Sequence, residues 1–458
     1  MKNLVLAAAL ATALSSVSMG VQAASPNELA QIREQLEALM QRVDKLEQEN
    51  TQLKSENEQL KATDEKLLAN DDYLKGEARG LRKETAQQAV EVAKTKGADW
   101  AGKVAFTGDV RYRYEYISDE TLSNVSGVGL VPTADRYRDR IRARLAATVK
   151  ATDNITVGIG MTTAESNDPR SGNQSLNSVF TKKPFDLDLA YFDWKFASWG
   201  NLIGGKMKQP FVKPGQSLFW DNDITPEGLA VGFQSGTFFG TAYNYWLTEQ
   251  SGTENTRTAD TMLHGLQIGT RLPIGSSSLM LAAHYYDLSA AVGRSPFYNA
   301  NANNNTTDTI VSGATTTQVL RYDYEVINLS AEFNTQFGEL PFSVWADVAE
   351  NQDPSEENLA WAAGVLFGKA SNYRTWELGA GYQKIEKDAL FAQLIDSDFA
   401  GGFSDNEGWV LRGAYAPVRN WTINTTYFLN KRNAELANSL GQLDVDYDRL
   451  QVDFNVKF

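Results

Sequence analysis

The chain has no cysteine and only two histidines in 458 residues. The first absence excludes disulfide scaffolding, thiolate metal sites and cysteine nucleophiles. The second leaves little for enzyme chemistry, because His264 and His284 stand in no recognisable nucleophile or metal motif. No segment past the N-terminus offers about 18 consecutive apolar residues, so a helical membrane protein is excluded. Basic residues are in deficit, 43 Lys plus Arg against 57 Asp plus Glu overall and 30 against 41 beyond residue 100. So acidic a chain is not expected to bind nucleic acid.

What is present begins with an export signal. Lys2, the apolar stretch from Leu4 to Leu14 and the small-residue site Val21-Gln22-Ala23 predict removal of residues 1–23. Leu residues then recur every seven positions from Leu39 to Leu81, with Leu29, Leu36 and Val43 at the complementary heptad position. This pattern predicts a coiled coil within residues 24–99, in the periplasm, with Gly76 and Gly80 weakening the helix without necessarily ending it. The complementary position turns polar at Asn50, Asn57 and Asp64, which trades stability for register. A lone heptad helix cannot bury its stripe, so a homo-oligomer is expected.

From Lys103 the period becomes two, and sixteen strand-sized segments can be counted within a domain of residues 100–458, the tenth at 319–335 and the last at 444–458. Connections after odd strands are mostly long, as at 119–135, 165–185, 209–226, 290–318 and 388–406, whereas those after even strands shrink to turns such as Thr152-Asp153. An even strand count with loops sorted by side predicts an all-β transmembrane barrel of about sixteen antiparallel strands, preceded by the α-helical coiled coil. Aromatics near strand ends, among them Tyr112, Tyr114, Trp376, Tyr382 and Trp409, suit interfacial girdles.

In the second strand Arg136, Arg138, Arg140, Arg142 and Arg144 share one parity, and Tyr137, Ile141, Ala143 and Leu145 the other. Arg on a lipid face costs about 2–4 kcal/mol at the midplane, so the arginines should face the lumen, joined by Arg111 and Arg113 of the first strand. Salt bridges with Asp109 or Glu115 are a second use for the same ladder. The connection 209–226, rich in Pro and aromatics, ends in Asp221, Asp223 and Glu227. Its carboxylates could oppose the ladder, form Asx turns or hold calcium; no other cofactor is expected.

The last segment, Tyr447 to Phe458, alternates without a break and closes on an aromatic residue, which resembles the terminal strand of bacterial outer-membrane barrels. The stretch Gly204-Gly205-Lys206-Met207-Lys208-Gln209-Pro210-Phe211 is similar to the Gly-Lys-Pro-Phe stretch of phosphate-selective and related porins. That resemblance implies a trimer in lipid and lipopolysaccharide, a third loop folded into the lumen, and Lys206 and Lys208 at the constriction. It implies passive diffusion of small polar solutes, with the ladder favouring anions. A selective phosphate or carboxylate channel is the alternative, and a tether to peptidoglycan through the coiled coil is a third role. An enzyme is not expected.

Overall fold

The computed structural model describes residues 26–94, 101–164, 168–249, 260–298 and 303–458. The signal segment expected at 1–23 lies outside them. The chain forms two units, the second beginning at Trp100.

In the first unit a single helix, α1, runs Pro26–Lys94. Gly76 and Gly80 do not interrupt it, because a glycine inside a helix costs only about 1 kcal/mol. The heptad leucines Leu39, Leu46, Leu53, Leu60, Leu67, Leu74 and Leu81 all remain exposed on the single chain.

The second unit is a closed antiparallel barrel of sixteen long strands. They are β1 Val104–Asp119, β2 Arg136–Lys150, β3 Ile155–Thr163, β4 Phe185–Ala197, β5 Gly200–Lys206, β6 Glu227–Ser235, β7 Phe238–Thr248 and β8 Thr261–Ile274. The ring continues with β9 Ser277–Ser289, β10 Tyr324–Phe337, β11 Leu340–Asn351, β12 Leu359–Gly368, β13 Thr375–Ile385, β14 Asn406–Val418, β15 Trp421–Arg432 and β16 Val445–Lys457. Each strand pairs with its sequence neighbours, and β16 returns to β1 with Tyr114 opposite Val452. The terminal residue extends that seam: Phe458 and Gly108 exchange two backbone hydrogen bonds of 3.0 Å.

Alternation decides which side chain faces where. On β10, Tyr324 and Val326 are buried while Ile327 and Leu329 are exposed. On β12, Ala360 and Ala362 are buried while Trp361 and Val365 are exposed. The outward set is apolar although exposed, the pattern of a wall bathed in lipid, while the enclosed set mixes small, polar and aromatic residues. Aromatic clusters mark both ends, with Trp361, Tyr382 and Trp409 in contact at one and Phe342, Phe367 and Trp376 at the other. His264 faces outward beside Leu266, whereas His284 faces inward, 2.8 Å from the Tyr243 hydroxyl.

One strand start changes, and three long connections carry pairing of their own. The tenth strand begins at Tyr324, because Thr315–Leu320 turns back on Thr307–Ser312 to make a hairpin inside the long connection. A second hairpin, Leu122–Val125 with Gly129–Pro132, occupies the first long connection. β3 stops at Thr163, and its place beside β2 is taken by Gln174 and Ser175, which pair with Ile141 and Arg140.

Candidate functional site

Strand register sets like charges against one another inside the barrel: Arg111 lies opposite Arg142, and Arg113 opposite Arg140. Like charges directly opposed destabilise a strand pair, so the ladder needs carboxylates beside it. β16 supplies Asp453, to which Arg113 donates through Nε at 2.6 Å and Nη2 at 2.8 Å. β1 supplies Asp109 to Arg142 at 2.9 Å and Arg144 at 2.7 Å. It also supplies the fully buried Glu115, which takes Arg138 at 2.7 Å, Arg449 at 3.4 Å and Arg140 at 3.7 Å. Two more carboxylates arrive on loops. Asp223 stands 3.3 Å from Arg142 and 3.4 Å from Arg144, and Asp398 stands 2.9 Å from Arg113 and 2.6 Å from Arg449.

Those loops fill much of the lumen. The connection after β5 crosses to the far wall: Val212 exchanges hydrogen bonds with Gln267 of β8, Gly215 N donates to Glu332 of β10, and Ser217 Oγ donates to Asp347 of β11 at 2.5 Å. The connection after β13 packs on it. Asp221 N donates to Leu394 O at 2.8 Å, Asp396 N to Leu218 O at 3.0 Å, and Ser397 N to Asp221 Oδ2 at 2.9 Å. Buried Phe211, Trp220, Leu390, Phe391 and Ile395 form a shared apolar core. The two loops are thus one docked body rather than separate flexible segments.

Between this body and the ladder lies a cavity of ≈ 640 Å³. Eight cationic side chains and six carboxylates line it, so its wall keeps a surplus of positive charge. Of the ladder arginines that line this cavity, Arg111 has the longest carboxylate contact. It donates to the Asn173 amide oxygen at 2.6 Å, and its carboxylate contact, with Asp453, is 3.7 Å.

The loop groups have shifted proton affinities. Burial, then the nearby Asp396 and Asp223, raises the Asp221 carboxyl well above its ordinary value, and burial with Asp398 beside it raises Asp396. Burial alone would raise Asp398 too, but Arg113 and Arg449 outweigh it and hold that carboxyl far below the usual range. Burial pushes the Lys213 ammonium down to about 8 against the pull of Asp221, Asp396 and Asp347. Its Nζ donates to Trp220 O and Asn222 Oδ1.

Of the residues singled out in the sequence, the structure brings Arg111, Arg113, Arg142, Arg144, Lys208, Asp221 and Asp223 to this one cavity. Arg138 and Arg140 do not line it; they are taken up by Glu115. Lys206 and Glu227 stand apart from it as well. They lie opposite each other in register, on the outward parity of Leu229 and Val231, and pair at 3.0 Å. The apolar alternation of β6, not charge, decides that face. Asp221 Oδ1 accepts the Asp223 N–H at 2.8 Å in an Asx-type turn. Among the described residues no group of three or more His, Asp or Glu converges as a metal site.

Sequence reasoning overlooked the second loop and its Asp398. The signal was there: Leu390, Phe391, Leu394, Ile395 and Phe399 are too many apolar residues for a connection exposed to water.

The family described as "Putative porin" matches residues 123–319 and 311–458. Among solved structures, the chain is similar to OprB of Pseudomonas putida, at 14% identity and a TM-score of 0.50 over 80% of this chain and 97% of that one. It is also similar to a loop-deletion mutant of OmpT, an outer membrane protein of Vibrio cholerae, at 12% identity and a TM-score of 0.45 over 78% and 99%. A triple mutant of the Rhodopseudomonas blastica porin matches at 11% identity and a TM-score of 0.40 over 78% and 100%. No curated protein matches the sequence.

Proposed function

The chain belongs to the "Putative porin" family of outer-membrane barrels, and from that premise we propose that it forms a water-filled channel for passive diffusion of small polar solutes, with a mild preference for anions. The observation that carries this reading is the charged cavity between the ladder and the docked loops. Cations on one side and loop carboxylates on the other create a transverse field that orients polar solutes. Permeation then needs no covalent step. The surplus positive charge of the cavity, rather than the acidic balance of the whole barrel, sets the preference, because distant exposed charges are screened beyond about 8–10 Å at physiological salt.

In this reading the long connections are extracellular, the short turns and α1 are periplasmic, and three copies assemble through the exposed leucines of α1, which also suit a contact with the cell wall. A narrower reading, a channel selective for phosphate or carboxylates, is favoured by Arg111, whose guanidinium is left with an amide oxygen as its close partner. The test is purified protein in planar bilayers under a salt gradient. Stepwise single-channel currents with a reversal potential on the anion side are expected. A barrel that inserts but gives no steps refutes the channel, and a reversal potential on the cation side refutes the preference.

A further inference from the structure

The loop after β5 has two sides, and only one of them faces the ladder. Lys213 lines the charged cavity and also a second one, of ≈ 590 Å³, on the other side of the loop. This second cavity is bounded by β9 to β13, by Gly215 and Gln216 of the loop, and by the turn Gly275-Ser276 between β8 and β9. It lies at the end of the barrel where the turns are short. Its size falls within the roughly 300–1,000 Å³ usual for a small-molecule site.

Strand register builds its wall. Ser278 lies opposite Asn334, Asn334 opposite Ser343, and Ser343 opposite Leu366, so that one rung crosses β9, β10, β11 and β12. Residues directly opposite in an antiparallel sheet share a face. Here it is the inner face, because Ser343 has the parity of buried Trp345 and Asp347 on β11. The side chains of Ser278, Asn334, Ser343 and Gln216 have no hydrogen-bond partner among the described residues. Each hydroxyl and each amide can both donate and accept. Charge is balanced as well, Lys213 and Lys369 against Glu332 and Glu377, and Glu332 already accepts the Gly215 N–H at 2.6 Å. The ladder cavity, with eight cations and six carboxylates, has no such balance. A wall without surplus charge draws no ion of either sign, and it sets up no field whose ordered water a neutral solute would have to displace. Its unspent donors and acceptors suit a molecule that carries many hydroxyls, and Pro341 and Leu366 beside them suit that molecule's C–H face.

We propose that this second cavity is a binding site for a neutral polyhydroxylated solute such as a hexose, so that the loop divides the lumen into a charged side and an uncharged one. The inference goes beyond the channel reading and rests on it only in taking the lumen to be filled with water. It is tested on the full-length protein in detergent by saturation-transfer NMR with glucose as the probe. Transfer from protein to the sugar C–H protons is expected. Gln216→Leu and Asn334→Leu are each expected to raise the dissociation constant about two- to tenfold, the loss of a hydrogen bond or two. Both side chains are without partners in the free protein, so neither variant should lower the temperature at which the barrel unfolds. Arg111→Ala, on the other side of the loop, should leave glucose binding as it is in the parent. Absence of transfer, an unchanged dissociation constant in both leucine variants, or an equal rise in Arg111→Ala would overturn the site. Binding in detergent needs no current, so a sealed barrel that still binds glucose would refute the channel and leave the site standing, whereas anion currents without glucose binding would refute the site alone.

Discussion

Arg113 of β1 and Asp398 of the loop after β13 meet at 2.9 Å across 285 residues of chain. That pair fastens the loop after β13 to the ladder, with Arg449 as its second anchor, while Asp223 of the loop after β5 holds Arg142 and Arg144. Asp398→Ala is therefore expected to loosen the loop and increase single-channel conductance in planar bilayers. The cost to stability should be about 1–3 kcal/mol, because Arg113 keeps Asp453. Unchanged conductance would mean that the loop is held by its apolar core and its hydrogen bonds to the loop after β5 without this ion pair.

Glu115 serves three arginines from a fully buried position. Glu115→Gln should destabilise the barrel by about 3–5 kcal/mol by leaving buried cations uncompensated, lowering its unfolding temperature in detergent while its selectivity changes little.

Selectivity should respond at different rungs. Arg111→Ala and Arg142→Ala remove cations from the cavity wall and are expected to move the reversal potential toward cations. Arg138→Ala removes one held by Glu115 outside that wall and should not. Equal shifts in all three would assign the preference to the ladder as a whole.

Acidification should strengthen anion preference. Asp221 and Asp396, with raised affinities, take up protons before ordinary carboxylates do, while Asp398 stays charged. Their contribution to stability has the same sign: it is complete below the unfolded carboxyl value and is lost as pH rises through the raised folded one. Asp398 is opposite, stabilising above the unfolded value and losing that contribution only as pH falls through its depressed one. In the alkaline direction Lys213, near 8, gives up its charge between about pH 7 and 9 and anion preference should fall. Reversal potentials across this range, with Lys213→Met as the variant that abolishes the alkaline limb, check both signs.

The seam depends on a residue without a side chain. A Cβ on Gly108 would lie 2.4 Å from the Phe458 ring and 2.6 Å from Arg144 O. Gly108→Ala should cost about 1–3 kcal/mol through overpacking and reduce the yield of heat-resistant barrel. Phe458→Ala, which clears the ring but not the backbone clash, should not restore it.

How legible these features are follows from their range. Period-two alternation marks strands because one face meets lipid, so β12 and β15 could be placed from Trp361, Val365, Ile423 and Leu429 alone. The two hairpins inside long connections meet water on their outer face and lack that signature. The inward face of Arg142 follows from parity, but its partners do not: Asp223 comes from 81 positions away and is brought there by the folding of a loop. Lys206 is intermediate: its register with Glu227 gives it outward parity, yet its Nζ donates to Thr225 O and its side chain lines a second, smaller pocket with Arg144 and Asp223.

β1 is bonded on one edge to β2 and on the other to β16. The wall is therefore a circuit with no first or last member, and opening any of its sixteen joints exposes the same kind of raw edge to hydrocarbon. Partial barrels have no resting place in the bilayer, so assembly is all-or-none. A defect at a single joint should be seen as fewer finished channels rather than as leaky ones.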